Sequence, residues 1–100
     1  MSKTYSKVII KPSSNKKKKY TAILSSKDGK KKTIHFGSAG MSDFTKHRDE
    51  ARKKRYLDRH RKRENWTVPD TAGSLSRWIL WNKKTLRESI ADYKKRFNLS

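Results

Sequence analysis

Six cations recur at helical spacing in the middle of the chain: Arg48, Arg52, Arg55, Arg59, Lys62 and Arg63. On a helical wheel at about 100° per residue, with Ala51 at zero, they fall between about 20° and 120°. A row of guanidinium groups suits one chemistry above others. Each group presents a planar fork that grips phosphate oxygens, or a guanine edge, with two hydrogen bonds. A stripe about 16 residues long spans roughly 24 Å, enough to bridge several phosphates. Two lysine clusters extend the candidate set: Lys16, Lys17, Lys18 and Lys19, then Lys30, Lys31 and Lys32. An ammonium is a hydrated point charge, so these read as weaker, mobile contacts. If six to eight phosphates are neutralised, log K against log salt falls with a slope of about −5 to −7.

Other readings of the stripe fit less well. A solvated face tuned for solubility mixes signs, but Asp49, Asp58 and Glu64 all lie outside this one. Docking on a membrane surface needs a broad apolar face beside the charges. Tyr56, Leu57 and His60 form only a narrow one, so no membrane partner is expected. Base-specific readout is poorly supplied, because the chain has no Gln and its Asn residues, at 15, 65, 82 and 98, fall mostly in loops or caps. A charge-dominated, sequence-tolerant mode remains. Trp78 and Trp81 sit beside Leu75, Ile79 and Leu80 at helical spacing and read as core rather than as base-stacking groups. Trp66 fits either role.

Enzyme chemistry has little to work with. Cysteine is absent, which removes disulfides, thiolate metal sites and thiol nucleophiles. The acids are few and flank basic residues or helix starts, unlike the clustered carboxylates of a two-metal nuclease. His35, His47 and His60 lack metal-ligand spacing. Asp43 with His47 is the one imaginable acid–base pair, and local capping explains Asp43 better. The segment Gly37-Ser38-Ala39-Gly40 lacks the Lys-Ser/Thr that completes a phosphate-cradling loop. No catalytic residue, metal or cofactor is expected.

The elements that must position these residues follow from patterning. Val8–Lys11 is a short β-branched run stopped by Pro12. Tyr20–Ser26 and Lys31–Phe36 flank Asp28-Gly29, a strong hairpin signal. A two-residue turn there pairs Ile23 with Ile34 and Thr21 with Phe36, making the face with Ile23, Ile34 and Phe36 the expected core. A bulge in the turn would shift that register by one residue. Ser42-Asp43-Phe44-Thr45 offers capping residues, and Phe44 is expected in a separate turn before a long helix at about 48–63. Further helices are expected at about 73–81, and after Thr85-Leu86-Arg87-Glu88, a capping-box pattern. There Leu86, Ile90, Tyr93 and Phe97 share one face. Strands first and helices after give an α+β fold: a small antiparallel sheet of two or three strands packed with about three helices. One small basic domain fills 1–100, with 1–4 and 12–19 expected to be flexible.

The charge balance explains why a partner is needed. The chain carries 28 Lys+Arg against 9 Asp+Glu, a formal net charge of +19, with 31% hydrophobic residues and mean hydropathy −1.18. The excess is +9 over 1–45, +6 over 46–65 and +4 over 66–100, and all of the first third's cations are Lys. Self-repulsion on this scale disfavours the compact state, and a polyanion relieves it. Val8, Ile9 and Ile10 are too short a run for a signal-peptide core, and no segment approaches the roughly 20 apolar residues of a membrane span. The chain therefore reads as an intracellular or virion-internal protein that binds nucleic acid.

A longer pattern sharpens the setting. It runs through Phe36-Gly37, Gly40-Met41-Ser42-Asp43-Phe44-Thr45, His47, Asp49, Arg52, Arg55-Tyr56, Arg59-His60 and Glu64-Asn65-Trp66. It continues with Thr71-Ala72-Gly73, Ser76-Arg77-Trp78, Leu80-Trp81-Asn82-Lys83 and Thr85-Leu86. Over about residues 18–97 the chain resembles a family of short, strongly basic proteins encoded by large double-stranded DNA viruses of eukaryotes. The resemblance carries over no catalytic or binding residue. It implies a protein made in an infected host cell, in the nucleus or a cytoplasmic virus factory, and packaged with the genome inside the virion. Duplex DNA is therefore the favoured partner, for genome compaction or packaging. RNA, or acidic capsid or core proteins, are the alternatives.

Overall fold

Asp28 and Gly29 turn the chain, but through a loop one residue longer than the shortest hairpin allows. Ser26 N–H donates to Lys30 O (2.9 Å) and Gly29 N–H to Ser26 O (3.1 Å), leaving Lys27-Asp28-Gly29 as the loop. Gly29 takes φ +90°, a left-handed conformation that glycine adopts without strain. The Asp28 carboxylate accepts from Ser26 Oγ and Lys30 N–H, which fixes this longer turn. The computed structural model describes residues 5–100, so the expectation for 1–4 lies outside the described residues.

The extra residue changes the sheet. Strands β1 (Lys7–Pro12), β2 (Lys18–Ser25) and β3 (Lys31–Ser38) form one antiparallel sheet in the order β1-β2-β3. Across β2 and β3, Tyr20 pairs with Phe36, Ala22 with Ile34 and Ile23 with Thr33. The register expected from a two-residue turn is therefore displaced by one. Because side chains alternate, the core face is the opposite one along β2. Val8, Ala22, Leu24 and Phe36 are buried, whereas Ile23 is only half-buried and Ile9 is 44% exposed. β1 lies beside β2, with Val8 against Leu24 and Ile10 against Ala22. Ser100 covers the outer edge of β1: Val8 N–H donates to Ser100 O and Ser100 N–H to Ser6 O (3.1 and 3.0 Å).

Of the segment expected to be flexible, 12–19, the two ends belong to the sheet and 13–17 form the loop between β1 and β2. Pro12 ends β1, and Lys18 and Lys19 begin β2. Between them, Ser13 N–H donates to Lys19 O, and Ser13 Oγ and Thr21 Oγ1 both meet His35 Nδ1 (2.9 and 2.8 Å).

Four helical pieces cover the sheet's core face and one end. Helix α1 (Phe44–His47) is a single turn capped by Asp43, with Phe44 buried, as the sequence led us to expect. Arg48 closes it in the left-handed region (φ 54°), donating its N–H to Phe44 O. Helix α2 (Glu50–His60) then starts afresh, with the Asp49 side chain accepting from Ala51 and Arg52 N–H. It is shorter than 48–63 because each end has a better local solution: the Asp49 cap at the start, and turns at Arg61–Arg63 closed on Leu57 O and His60 O. Helix α3 (Ala72–Leu75) widens into a π-helical stretch over Ser76–Leu80, where Trp81 N–H reaches Ser76 O (3.0 Å). Helix α4 (Leu86–Arg96) is capped by Thr85, whose hydroxyl accepts from Glu88 N–H.

The core joins the sheet to these helices. Leu75, Ile79, Leu80 and Tyr93 pack with Val8, Ala22, Leu24 and Phe36. The Tyr93 hydroxyl donates to Pro69 O (2.7 Å), and burial pushes its ionisation well above the ordinary tyrosine range. Trp78 and Trp81 pack against this core without being fully buried. Trp78 instead carries two cations, with the Arg77 and Arg96 guanidiniums 4.2 and 3.7 Å from its ring centroid.

Candidate nucleic-acid interface

Helix α2 contributes no fully buried residue. What holds it is a stack of rings along its narrow apolar stripe. Tyr56 lies on Trp81 with centroids 4.2 Å apart and planes 5° from parallel, and His60 stacks on Tyr56 at 4.2 Å. His47 packs against Trp81 at a tilt, with centroids 5.2 Å apart and planes at 55°. Lys53 adds a polar tie to Asn82 O (2.8 Å) and lies over the Phe44 ring. Partial burial lowers the Lys53 ammonium pKa, and the residue serves structure rather than the basic stripe.

This anchoring leaves the arginine row uncovered. Arg52, Arg55, Arg59 and Arg63 are exposed, and none has an ion-pair partner among the described residues. All of them line a groove of about 960 Å³. Lys18, Gly37, Ser38, Met41 and Ser42 line it from the sheet end, and Ser76, Leu80 and Trp81 from the π-helical stretch. Gly37 is required there: its φ is +79°, and a Cβ would sit 2.7 Å from Leu80 Cδ1.

The groove also holds acids, and most are engaged. Asp43 is bonded by Lys19 Nζ and by the Thr45 N–H and hydroxyl. Glu64 accepts from Trp66 Nε1 (2.8 Å) and meets His60 Nδ1 (3.0 Å). Asp58 is left without an ion-pair partner among the described residues. Burial first, then the Glu64 charge, pushes the Tyr56 phenol up to about 12, so it adds no negative charge near neutral pH. The field inside the groove is therefore set by five cations without ion-pair partners among the described residues, Lys18, Arg52, Arg55, Arg59 and Arg63, against the carboxylates of Asp58 and Glu64.

Several residues read from sequence as contacts are engaged by the fold or placed elsewhere. Lys19 is spent on Asp43 at 2.5 Å, with side chains only 10% and 2% exposed, because the buried cap carboxylate of α1 needs a counter-charge. Arg48 lies outside the row: its left-handed backbone sits before α2, and its Nε donates to Lys84 O (3.3 Å). Lys62 is exposed in the turn after α2, and Lys16 and Lys17 are exposed in the loop before β2, none of them lining the groove. Lys30 and Lys31 are exposed at the hairpin tip, the length of β2 away from Lys18, roughly 23 Å at strand rise. Lys32 pairs with Asp70 at 3.3 Å. The single candidate set of the sequence is thus split into a groove set and a distant tip set. Sequence reading missed Met41, Gly37 and Ser76 as groove residues, and no periodicity could have flagged them, since they lie on three different segments. It also assigned Trp81 to the core alone. Asp43 and His47 form no acid–base pair: His47 Nδ1 accepts from Asp49 N–H (2.9 Å). No group of three or more metal-ligating side chains comes together among the described residues. No described helix is long and apolar enough to cross a membrane.

The Lys32–Asp70 contact gives a pH test. Burial works to raise the Asp70 carboxyl, but hydrogen bonds from Lys32 and from Tyr5 outweigh it and hold it below the usual carboxylate range. A depressed carboxyl stabilises the fold above its unfolded pKa, and that stability is lost as pH falls through the folded value. The thermal midpoint should be flat from neutral pH to about 5 and fall below about 4. In Asp70→Asn the decline should be shallower when followed by circular dichroism. Parallel curves for the two proteins would show that this contact contributes nothing.

Residues 8–60, which span the sheet, α1 and α2, match the Family of unknown function (DUF5754). No curated protein and no solved structure matches the chain.

Proposed function

The chain belongs to the Family of unknown function (DUF5754), and from its geometry we propose that it is a non-enzymatic, sequence-tolerant DNA-binding protein that grips phosphates with the α2 arginine row. One observation carries this reading: Arg52, Arg55, Arg59 and Arg63 line a groove without a carboxylate partner among the described residues, although the fold has paired or capped most of its acids. Unpaired guanidiniums held in a row on a rigid helix are costly to a chain already at +19 unless an anion meets them. Phosphates fit, because each fork takes two oxygens and contacts of this kind carry no sequence information. The resemblance to basic proteins of large DNA viruses supports a setting in the infected cell, in compaction or packaging of the viral genome.

Five groove cations replace the larger set read from sequence, so the salt dependence should be gentler than that set implied. On duplex DNA, log K against log salt should fall with a slope of about −4.5. Fluorescence anisotropy across a salt series measures it. A slope near zero, or binding to acidic proteins with none to DNA, would overturn the proposal.

A further inference from the structure

The groove bears on which form of nucleic acid it receives. A helix that reads duplex DNA enters the major groove, so it must stand proud of its own protein. Here the arginine row instead shares a concavity with the start of β2, the loop after β3 and the π-helical stretch. The surface receives a chain rather than inserting into one. From Arg52 to Arg59 the helix rises about 10 Å, over which one strand of a duplex presents about three phosphates.

A second observation is independent of charge. Met41 is 65% exposed, one of two large hydrophobic residues left exposed among the described residues, and it lines this groove. Gly40, at φ +85°, and the bond from Met41 N–H to Ser38 O hold it on the loop after β3. An apolar thioether beside four guanidiniums finds little to meet on a duplex exterior, where only thymine methyl groups are apolar and base faces are stacked away. It matches the face of an unpaired base, against which methionine sulfur packs well. Tyr56 and Trp81 also line the groove, but they are stacked face to face with each other, which leaves Met41 as the exposed apolar contact.

We infer that the groove takes an unpaired DNA strand in preference to intact duplex, with its phosphates on Arg52, Arg55, Arg59 and Arg63 and a base against Met41. This rests on the DNA-binding reading and narrows it to one form of the polymer. The two can be told apart, because charge alone favours the duplex, whose phosphates are denser along the axis.

The test uses the full chain with a mixed-sequence single strand and the duplex of the same sequence, by anisotropy at ~0.15 M salt. The single strand should bind about fivefold tighter, the size of one modest base contact. Met41→Ser, at an exposed position where folding is not at stake, should abolish that preference, with single-strand affinity falling about fivefold to the level of the duplex. Equal or tighter duplex binding by the parent protein would overturn the inference while leaving the DNA-binding reading in place. So would a single-strand preference that survives in Met41→Ser. Failure to bind either form would overturn both.

Discussion

Replacing Arg52, Arg55 and Arg59 together by Glu should weaken DNA binding by more than about 100-fold without lowering the thermal unfolding transition. The size follows from what is lost. Each charge-assisted hydrogen bond to phosphate contributes about 1.5–3 kcal/mol, and about 2.7 kcal/mol already amounts to 100-fold. Three contacts exceed that before any repulsion from the new carboxylates is counted. That the transition does not fall follows from the packing. All three side chains are exposed, none has an ion-pair partner among the described residues, and α2 buries no residue completely. Glutamate also keeps good helix propensity, and at position 52 it lies near the helix's positive end. A charge-matched control separates the groove from net charge. Lys46, Lys54 and Arg61 are exposed but do not line the groove. Replacing those by Glu removes the same charge and should cost far less affinity. Equal losses in the two triple variants would mean that binding follows overall charge and that the groove is not the site.

The second large effect is on stability, and it tests the sheet register. Leu24→Ala should destabilise the protein by about 2–5 kcal/mol, the range for an aliphatic side chain deleted from a packed core. Leu24 is fully buried among Val8, Ala22 and Phe36. Its neighbour Ile23 points to the other face, paired with Thr33 and Ile9, and is only half-buried. Ile23→Ala should therefore cost about 1 kcal/mol or less. Urea denaturation of the two variants reads the difference directly. The opposite ranking is what a two-residue Asp28-Gly29 turn would produce, and it would refute the observed register.

That pair of residues shows how far the sequence could be read. Asp-Gly between β-prone runs located the hairpin correctly, since turn residues act locally. It could not settle whether the loop held two residues or three. The choice depends on Ser26 bonding the Asp28 carboxylate and Lys30 O, and one residue of slip exchanges the two faces of the sheet. Two helix starts were legible for the same local reason, since Asp43 and Thr85 cap within three residues of themselves, whereas the Asp49 cap falls inside the helix expected from about 48.

The basic stripe divides in the same way. Spacing alone placed Arg52, Arg55 and Arg59 on one face of a helix, because about 3.6 residues per turn leaves no other arrangement. Which cations stay free is a question about neighbours distant in the chain. Lys19 meets Asp43 and Lys32 meets Asp70, across 24 and 38 positions, and no periodicity foretells either pair. The groove exists only because Tyr56 stacks on Trp81 and so sets α2 beside the end of the sheet. Sequence by itself determined the charge, the class of fold and the row of arginines, since all three follow from composition and short-range geometry. Tertiary structure alone decided the core face, the surviving free cations and the concavity, because each is the outcome of packing between segments that local chemistry leaves independent.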